Sequence, residues 1–211
     1  MSRDHVLHRV RTALGRSAGE APPPPPPARI RIPDVALDAR IASLLEKVEA
    51  LAGRTFRAAT AADARRYVEE AIAGRTAIAS NAPYLAECGI ASLNGVRSGV
   101  TGKEELRNLC ATCDVGITSA DYALADTGTL VMLSSPREAR MVSLLPPTHI
   151  AVVPAERVLT GLDELFSVLP HPAEQTSSMV LITGPSRTAD IEQILVRGVH
   201  GPGQISVLLV G

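Results

Sequence analysis

Residues 115–133 read VGITSADYALADTGTLVML, two β-prone apolar runs (115–118 and 129–133) separated by small, polar and turn-forming residues. Neither run alternates cleanly between apolar and polar positions, which is the pattern of strands covered on both faces. Asp126-Thr127-Gly128-Thr129 reads as a tight turn into the second run, where Gly128 permits a close backbone approach and Thr127 offers a hydroxyl. Further short runs of the same kind stand at 76–80, 150–153, 180–183 and 205–210. Between them lie helix-compatible stretches at 103–113, 137–145, 162–169 and 190–196. Strands without alternation, separated by helices, predict an α/β fold with a parallel or mixed sheet covered on both faces.

Upstream, the apolar period is helical. Leu37, Ile41, Leu44, Leu45, Val48, Leu51 and Ala52 share a stripe, with Asp34 as a candidate N-cap. Thr60 and Asp63 have capping-box spacing before a helix carrying Ala64, Tyr67, Val68, Ala71 and Ile72. Both helices read as packing faces without chemistry. Near the start, Val6, Leu7, Val10 and Leu14 form another stripe that ends at Gly15. Six prolines follow at 22–27, a run that must be extended and serves better as a semi-rigid spacer than as an SH3-type ligand. The expected organisation is an N-terminal helix and polyproline tether over 1–27 and a single α/β domain over 28–211.

Composition mainly excludes. The 211 residues carry 21 Lys+Arg against 22 Asp+Glu, with 2% aromatic residues and no Trp, which disfavours nucleic-acid binding. The longest uncharged run, 141–155, is interrupted by prolines and is too short to span a bilayer. The N-terminus lacks a signal-peptide core, and three cysteines are no disulfide framework. These features set the expectation of a reduced, soluble, cytoplasmic protein.

In a sheet of this class ligands bind outside the carboxyl ends of the strands. The strand ends are Ser80-Asn81, Thr118-Ser119-Ala120-Asp121, Ser134-Ser135-Pro136-Arg137 and Gly184-Pro185-Ser186-Arg187-Thr188. The last is read as a strand–turn–helix junction. Its backbone N–H groups, Ser186, Thr188 and Arg187 suit a carboxylate or phosphate, although a well-capped helix with a solvated Arg has the same sequence. Arg137 and Arg140, three apart on one expected helix face, extend the same idea. His200, between Gly198 and Gly203 in a glycine-rich turn, is a candidate general base and equally an ordinary surface histidine. Cys110-x-x-Cys113 lacks the two further ligands of a zinc site, and no iron–sulfur cysteine run is present, so neither a metal nor a cofactor is expected in this chain.

These loops carry a resemblance. Residues 118–131 (TSADYALADTGTLV), 143–150 (SLLPPTHI), and 184–192 (GPSRTADIE) together with 198–202 (GVHGP) resemble, in order, the signature blocks of the lactate-utilisation protein C family, the LUD domain; Leu14-Gly15-Arg16 is similar to its short N-terminal helix. The resemblance covers 114–211 well and gives no assignment for 28–110. It implies a three-layer α/β/α sandwich with a mainly parallel sheet, related to sugar-phosphate isomerases and coenzyme A transferases. It also implies a bacterial cytoplasmic system oxidising L-lactate to pyruvate, in which iron–sulfur and cysteine-rich partner subunits hold the clusters. On that reading Thr118, Thr127, Gly128, Thr129, Arg137, Gly184, Ser186, Arg187, Thr188, His200 and Gly201 are the candidate ligand-binding residues of an accessory, small-anion-binding subunit. The alternative is an enzyme acting on a small carboxylate, acyl-CoA or sugar-phosphate substrate, with His200 or Glu192 as base.

Overall fold

The computed structural model describes residues 2–17, 19, 21, 30–189, 195–198 and 200–211, without the side chains of 188, 189 and 195–197. The chain divides into two units, Met1–Ile30 and Arg31–Gly211. The first contains α1 (Arg3–Ala13), capped by the Ser2 hydroxyl on the His5 N–H. It closes as a Schellman turn, with Gly15 at φ +64° and the Arg16 N–H donating to the Arg11 carbonyl. The expected polyproline segment, 22–27, lies outside the described residues.

The second unit is built on a six-stranded parallel sheet. Its strands, β1 (Arg54–Ala58), β2 (Ala77–Ala79), β3 (Val96–Arg97), β4 (Val115–Ser119), β7 (Thr148–Pro154) and β12 (Gln204–Val210), run in the order β1-β12-β7-β4-β2-β3. The two longest strands are central and fully paired, from Gln204 opposite Thr148 to Val210 opposite Pro154. A four-stranded sheet of β5 (Tyr122–Leu124), β6 (Thr129–Leu133), β8 (Val158–Leu159) and β9 (Met179–Thr183) has the order β8-β5-β6-β9. The expected runs at 129–133 and 180–183 are therefore strands of this second sheet, where β6 lies antiparallel to β5 and β9.

One face of the main sheet is covered by α3 (Ala61–Ala71) and α4 (Pro83–Glu87). Ala64, Val68 and Leu85 pack there on Ile117, Ile150, Val152 and Leu208. The other face is shared. Over β7 and β12 lie α2 (Leu37–Ala50) and the second sheet, with Ile41, Leu44, Val48, Leu130 and Met132 against Ala151, Val153, Val207 and Leu209. Over β2 and β4 lie α5 (Lys103–Thr112) and α6 (Arg140–Leu144), which enclose Ile78, Leu106, Cys110 and Val142. Of the remaining helices, α7 (Leu162–Val168) packs on β5 of the second sheet, and α8 (Pro172–Gln175) precedes β9 in the chain. Full burial of the odd and the even positions of β7 explains why no alternation is visible in its sequence.

Two glycines fix how the layers meet. A Cβ at Gly116 would lie 1.9 Å from the Val142 carbonyl oxygen, so α6 rests directly on β4. Gly128, at φ +69°, leads into β6, and a Cβ there would lie 2.9 Å from Lys47 Cβ and 3.0 Å from the Val48 nitrogen of α2.

Several local expectations are corrected. The N-cap of α2 is Ala36, with no side-chain bond, so Asp34 does not cap it. The helix expected from 137 begins at Arg140, which leaves Arg137 in the preceding turn and off any shared helix face. Residues 187–189 form β10 (Arg187–Ala189), antiparallel to β11 (Leu195–Arg197); of the helix expected at 190–196, residues 195 and 196 are therefore strand, and 190–194 lie outside the described residues. The capping box holds: the Asp63 N–H donates to Thr60 Oγ1 at 3.1 Å.

Candidate functional site

Parallel pairing puts the carboxyl ends of β2, β4 and β7 at one edge of the main sheet, and there they enclose a cavity of about 570 Å³. Ser119, Ala120 and Asp121 leave β4 into it, Leu133 to Ser135 leave β6, and Pro154, Glu156 and Arg157 follow β7. The turn 134–138 is held by its own hydroxyl: Ser135 Oγ accepts from the N–H groups of Arg137 (3.2 Å) and Glu138 (3.0 Å). The Asn81 N–H donates to the Arg137 carbonyl at 2.8 Å, which ties this turn to the end of β2. Those bonds carry the Glu138 side chain inward until it is 8% exposed.

Glu138 Oε2 accepts from Ser80 Oγ at 2.7 Å and from the Ser119 N–H at 3.4 Å. Among the described residues its Oε1 is buried without a partner, as is the Oγ of Ser134, a residue that lines the same cavity. Burial pushes the Glu138 carboxyl up to about 8, against the two donors on Oε2 and reinforced by the nearby Asp121 charge. Asp121 is itself raised by burial, while the Leu133 N–H (2.7 Å) and Arg157 pull the other way. The Arg157 guanidinium lies 5.5 Å from the centre of the Tyr122 ring. Arg137 and Arg157, both exposed, bring two cations to the cavity. A carboxyl that keeps its proton near neutrality, hydroxyls and guanidiniums together can bind a small oxyacid and donate to a neutral oxygen on it.

At the opposite edge a hollow of about 320 Å³ is lined by His149, Ile205, the 180–187 segment and His200 to Pro202. His149 is 1% exposed; its Nε2 lies 2.8 Å from Thr118 Oγ1, and among the described residues its Nδ1 has no partner. Burial alone lowers this imidazole to about 4, so it is neutral at pH 7.

A family model of the LUD domain matches residues 41–210. The chain belongs to the LUD domain family. Lactate utilization protein C of Exiguobacterium sp. (strain ATCC BAA-1283 / AT1b) is 29% identical over 220 residues, covering 99% of this chain and 96% of that protein. Proteins of the same name from Halalkalibacterium halodurans (40% identical, 52% of this chain, 50% of that protein) and Bacillus subtilis (strain 168) (38% identical, 52% and 47%) match over about half their length. Among solved structures, a DUF162 family protein from Deinococcus radiodurans superposes with a TM-score of 0.64 at 16% identity, over 84% of this chain and 99% of that one. That likeness is one of fold.

The LUD domain here does not gather the sequence-predicted residues in one place. Of the four strand ends singled out, those at Ser80, Ser119 to Asp121 and Ser134 to Arg137 converge on the carboxyl-edge cavity. The fourth goes elsewhere: Gly184, Ser186, Arg187, His200 and Gly201 line the amino-edge hollow. Arg187 there donates to the Leu51 carbonyl. Thr188 falls in β10 rather than at a helix start, and Glu192 lies outside the described residues. Thr118 is fully buried in β4 against His149. Thr127 and Thr129 bond each other at 2.7 Å, and Thr129 bonds Thr183 at 2.8 Å, a hydroxyl ladder joining the β5–β6 turn to β9.

Cys110 and Cys113 are buried free thiols at the end of α5, both raised by burial, Cys110 to about 11. Among the described residues no group of three or more His, Cys, Asp and Glu is placed to hold a metal, and no helix is long and apolar enough to cross a membrane. Sequence reasoning missed Glu138 and His149. The signal for Glu138 was its position, one residue beyond a strand-end turn already singled out.

Proposed function

We propose that this LUD domain is a cytoplasmic component of an L-lactate utilisation system and that its carboxyl-edge cavity binds a small monocarboxylate. The observation that carries the reading is the cavity itself, whose lining brings together Arg137, Arg157, Ser119, Ser134, Ser135 and the buried Glu138. Support for the pathway comes from the relatives' name, lactate utilization protein C, one of them matched over nearly the whole chain. The chain would act as the accessory subunit, with iron–sulfur clusters and electron transfer supplied by cysteine-rich and iron–sulfur partners. Its own three thiols are dispersed or buried and suit no such cluster.

Deleting the gene should abolish growth on L-lactate and leave growth on glucose unchanged. Affinity purification from lactate-grown cells should recover the iron–sulfur partners. Normal growth of the deletion strain on lactate would overturn the assignment to this pathway.

A further inference from the structure

Among the described residues, six of the eleven exposed large apolar side chains lie on two helices: Val6, Val10 and Leu14 on α1 and its C-cap, and Leu162, Phe166 and Val168 on α7. Apolar side chains scattered singly need no explanation, but apolar faces gathered on single helices mark interaction surfaces.

The N-terminal helix is built to dock. Val6, Val10 and Leu14 recur every four residues and so line one face, with Arg9 and Arg11 on either side of it. Arg3, Arg9 and Arg11 outnumber Asp4, the one acid of the helix. A helix of 11 residues is marginal in water, yet α1 is capped at both ends and buries none of its side chains. Such a helix draws its stability from the surface on which its apolar face lies.

The complement stands on α7. Leu165 turns inward onto Leu124, Val131 and Leu159, which leaves Leu162 and Phe166, four apart, on the outer face. Asp163 borders that face and accepts from the Arg31 N–H at 3.1 Å, while Glu164 pairs with Arg40 at 3.3 Å. No Lys or Arg occurs between Arg157 and Arg187, a stretch that holds Asp163, Glu164 and Glu174. Even with Arg31 and Arg40 set against them, the carboxylates are in excess. One chain thus carries both a basic apolar stripe and an acidic apolar face.

We infer that the α1 stripe of one molecule docks on the outer face of α7 in a second copy, and reciprocally, so that the chain forms a twofold dimer by exchanging N-terminal helices. The intervening residues 16–30 can span at most roughly 50 Å, ample for reaching a neighbour. Six prolines at 22–27 read as a stiff spacer ending four residues before Arg31, which disfavours a turn back onto the α7 that holds Arg31. Exchange also doubles the buried area, which a helix of this size needs to approach the scale of a specific interface.

The test is sedimentation velocity of the full chain over a range of concentrations. The wild type should be a dimer whose dissociation constant rises severalfold between about 0.05 and about 0.5 M salt. Val10→Asp and Phe166→Asp each put a carboxylate into the apolar contact and should each raise that constant at least about tenfold. Thermal melting should stay unchanged, since both side chains stand at the surface. The double change Arg9→Glu with Arg11→Glu, remote from any core, should weaken the dimer mainly at low salt. Mixing Val10→Asp with Phe166→Asp should restore association above that of either variant alone, because the intact α1 of one meets the intact α7 of the other. A monomeric wild type overturns the inference, as does a dimer indifferent to any of these changes or a mixture no better than its parts. A monomer that floats with phosphatidylglycerol vesicles, and loses them in Val10→Asp, also overturns it and assigns α1 to a lipid surface.

Discussion

The two edges of the main sheet each bury one titratable side chain with an unpartnered atom, and they hold opposite preferences for a proton. At the carboxyl edge burial makes Glu138 keep its proton up to about 8; at the amino edge burial makes His149 refuse one down to about 4. Both are uncharged at pH 7, for the same reason: the charged form loses its hydration. The surroundings differ. Glu138 shares its cavity with a second orphaned oxygen, hydroxyls and two guanidiniums. His149 faces Leu144, Val180, Ile182, Pro202 and Ile205, and spends its other nitrogen on Thr118. A perturbed pKa therefore identifies burial, and only the company the group keeps distinguishes a ligand site from a packed core.

The largest test of this contrast is stability against pH. The folded-state value of Glu138 lies above the 4.5 of an ordinary glutamate, so its contribution is complete below pH 4.5 and lost as pH rises to about 8. At about 1.4 kcal/mol per pH unit the loss is on the order of 5 kcal/mol across that window. Glu138→Gln, which cannot titrate, should gain on the wild type through this range in urea denaturation, with parity near pH 4. A constant difference at all pH values would show that Glu138 titrates in the folded protein as it does in the unfolded chain.

His149 should produce the reverse slope on a smaller scale. Its folded-state value lies below the ordinary 6.5, so its contribution is complete above pH 6.5 and lost as pH falls to about 4, roughly 3 kcal/mol in all. The paired change Thr118→Val with His149→Leu removes both bonded atoms together. That variant should lack the acid-side loss between pH 6.5 and 4. Retention of the slope would place the titrating group elsewhere.

The same contrast explains what was legible in the sequence. Unbroken apolar runs reveal strands buried on both faces, and each of the six runs singled out is a strand. What the runs cannot reveal is the partner. Residues 129–133 and 179–183 read like main-sheet strands, yet pair antiparallel in a second sheet, because burial and not neighbour identity shapes their composition. β1 escaped notice because it is an edge strand with Arg54 and Arg57 on it, and β3 and β8 are two residues long. Three of the four strand ends reached the carboxyl edge as expected. Glu138 did not stand out, since a glutamate between Arg137 and Arg140 looks solvated; its burial comes from the Asn81-to-Arg137 backbone bond, a contact over 56 positions that no local pattern encodes.

If the carboxyl edge is the ligand site, Arg137→Ala should weaken monocarboxylate binding about tenfold, the usual scale for one charge-assisted bond. Arg137 is exposed, so the melting temperature should stay within a degree or two. A binding loss accompanied by unfolding would instead make the guanidinium structural.

The smallest expected effect is the sharpest discriminator between the edges. His200 and Arg187 were the natural choices from sequence, a histidine in a glycine-rich turn and an arginine after a strand, but both stand on the amino-edge hollow. Arg187 already donates to the Leu51 carbonyl, and His200 is exposed on the loop that enters β12. Neither reaches the cavity lined by Ser134 and Glu138, because β7 and β12 run seven residues each between one edge and the other. At about 3.3 Å per residue that is a separation of roughly 20 Å, more than any side chain spans. His200→Ala and Arg187→Ala should thus each change monocarboxylate affinity less than about twofold. A tenfold loss in either would move the site to the amino edge and make the neutral His149 imidazole, with its unpartnered Nδ1, the group to explain.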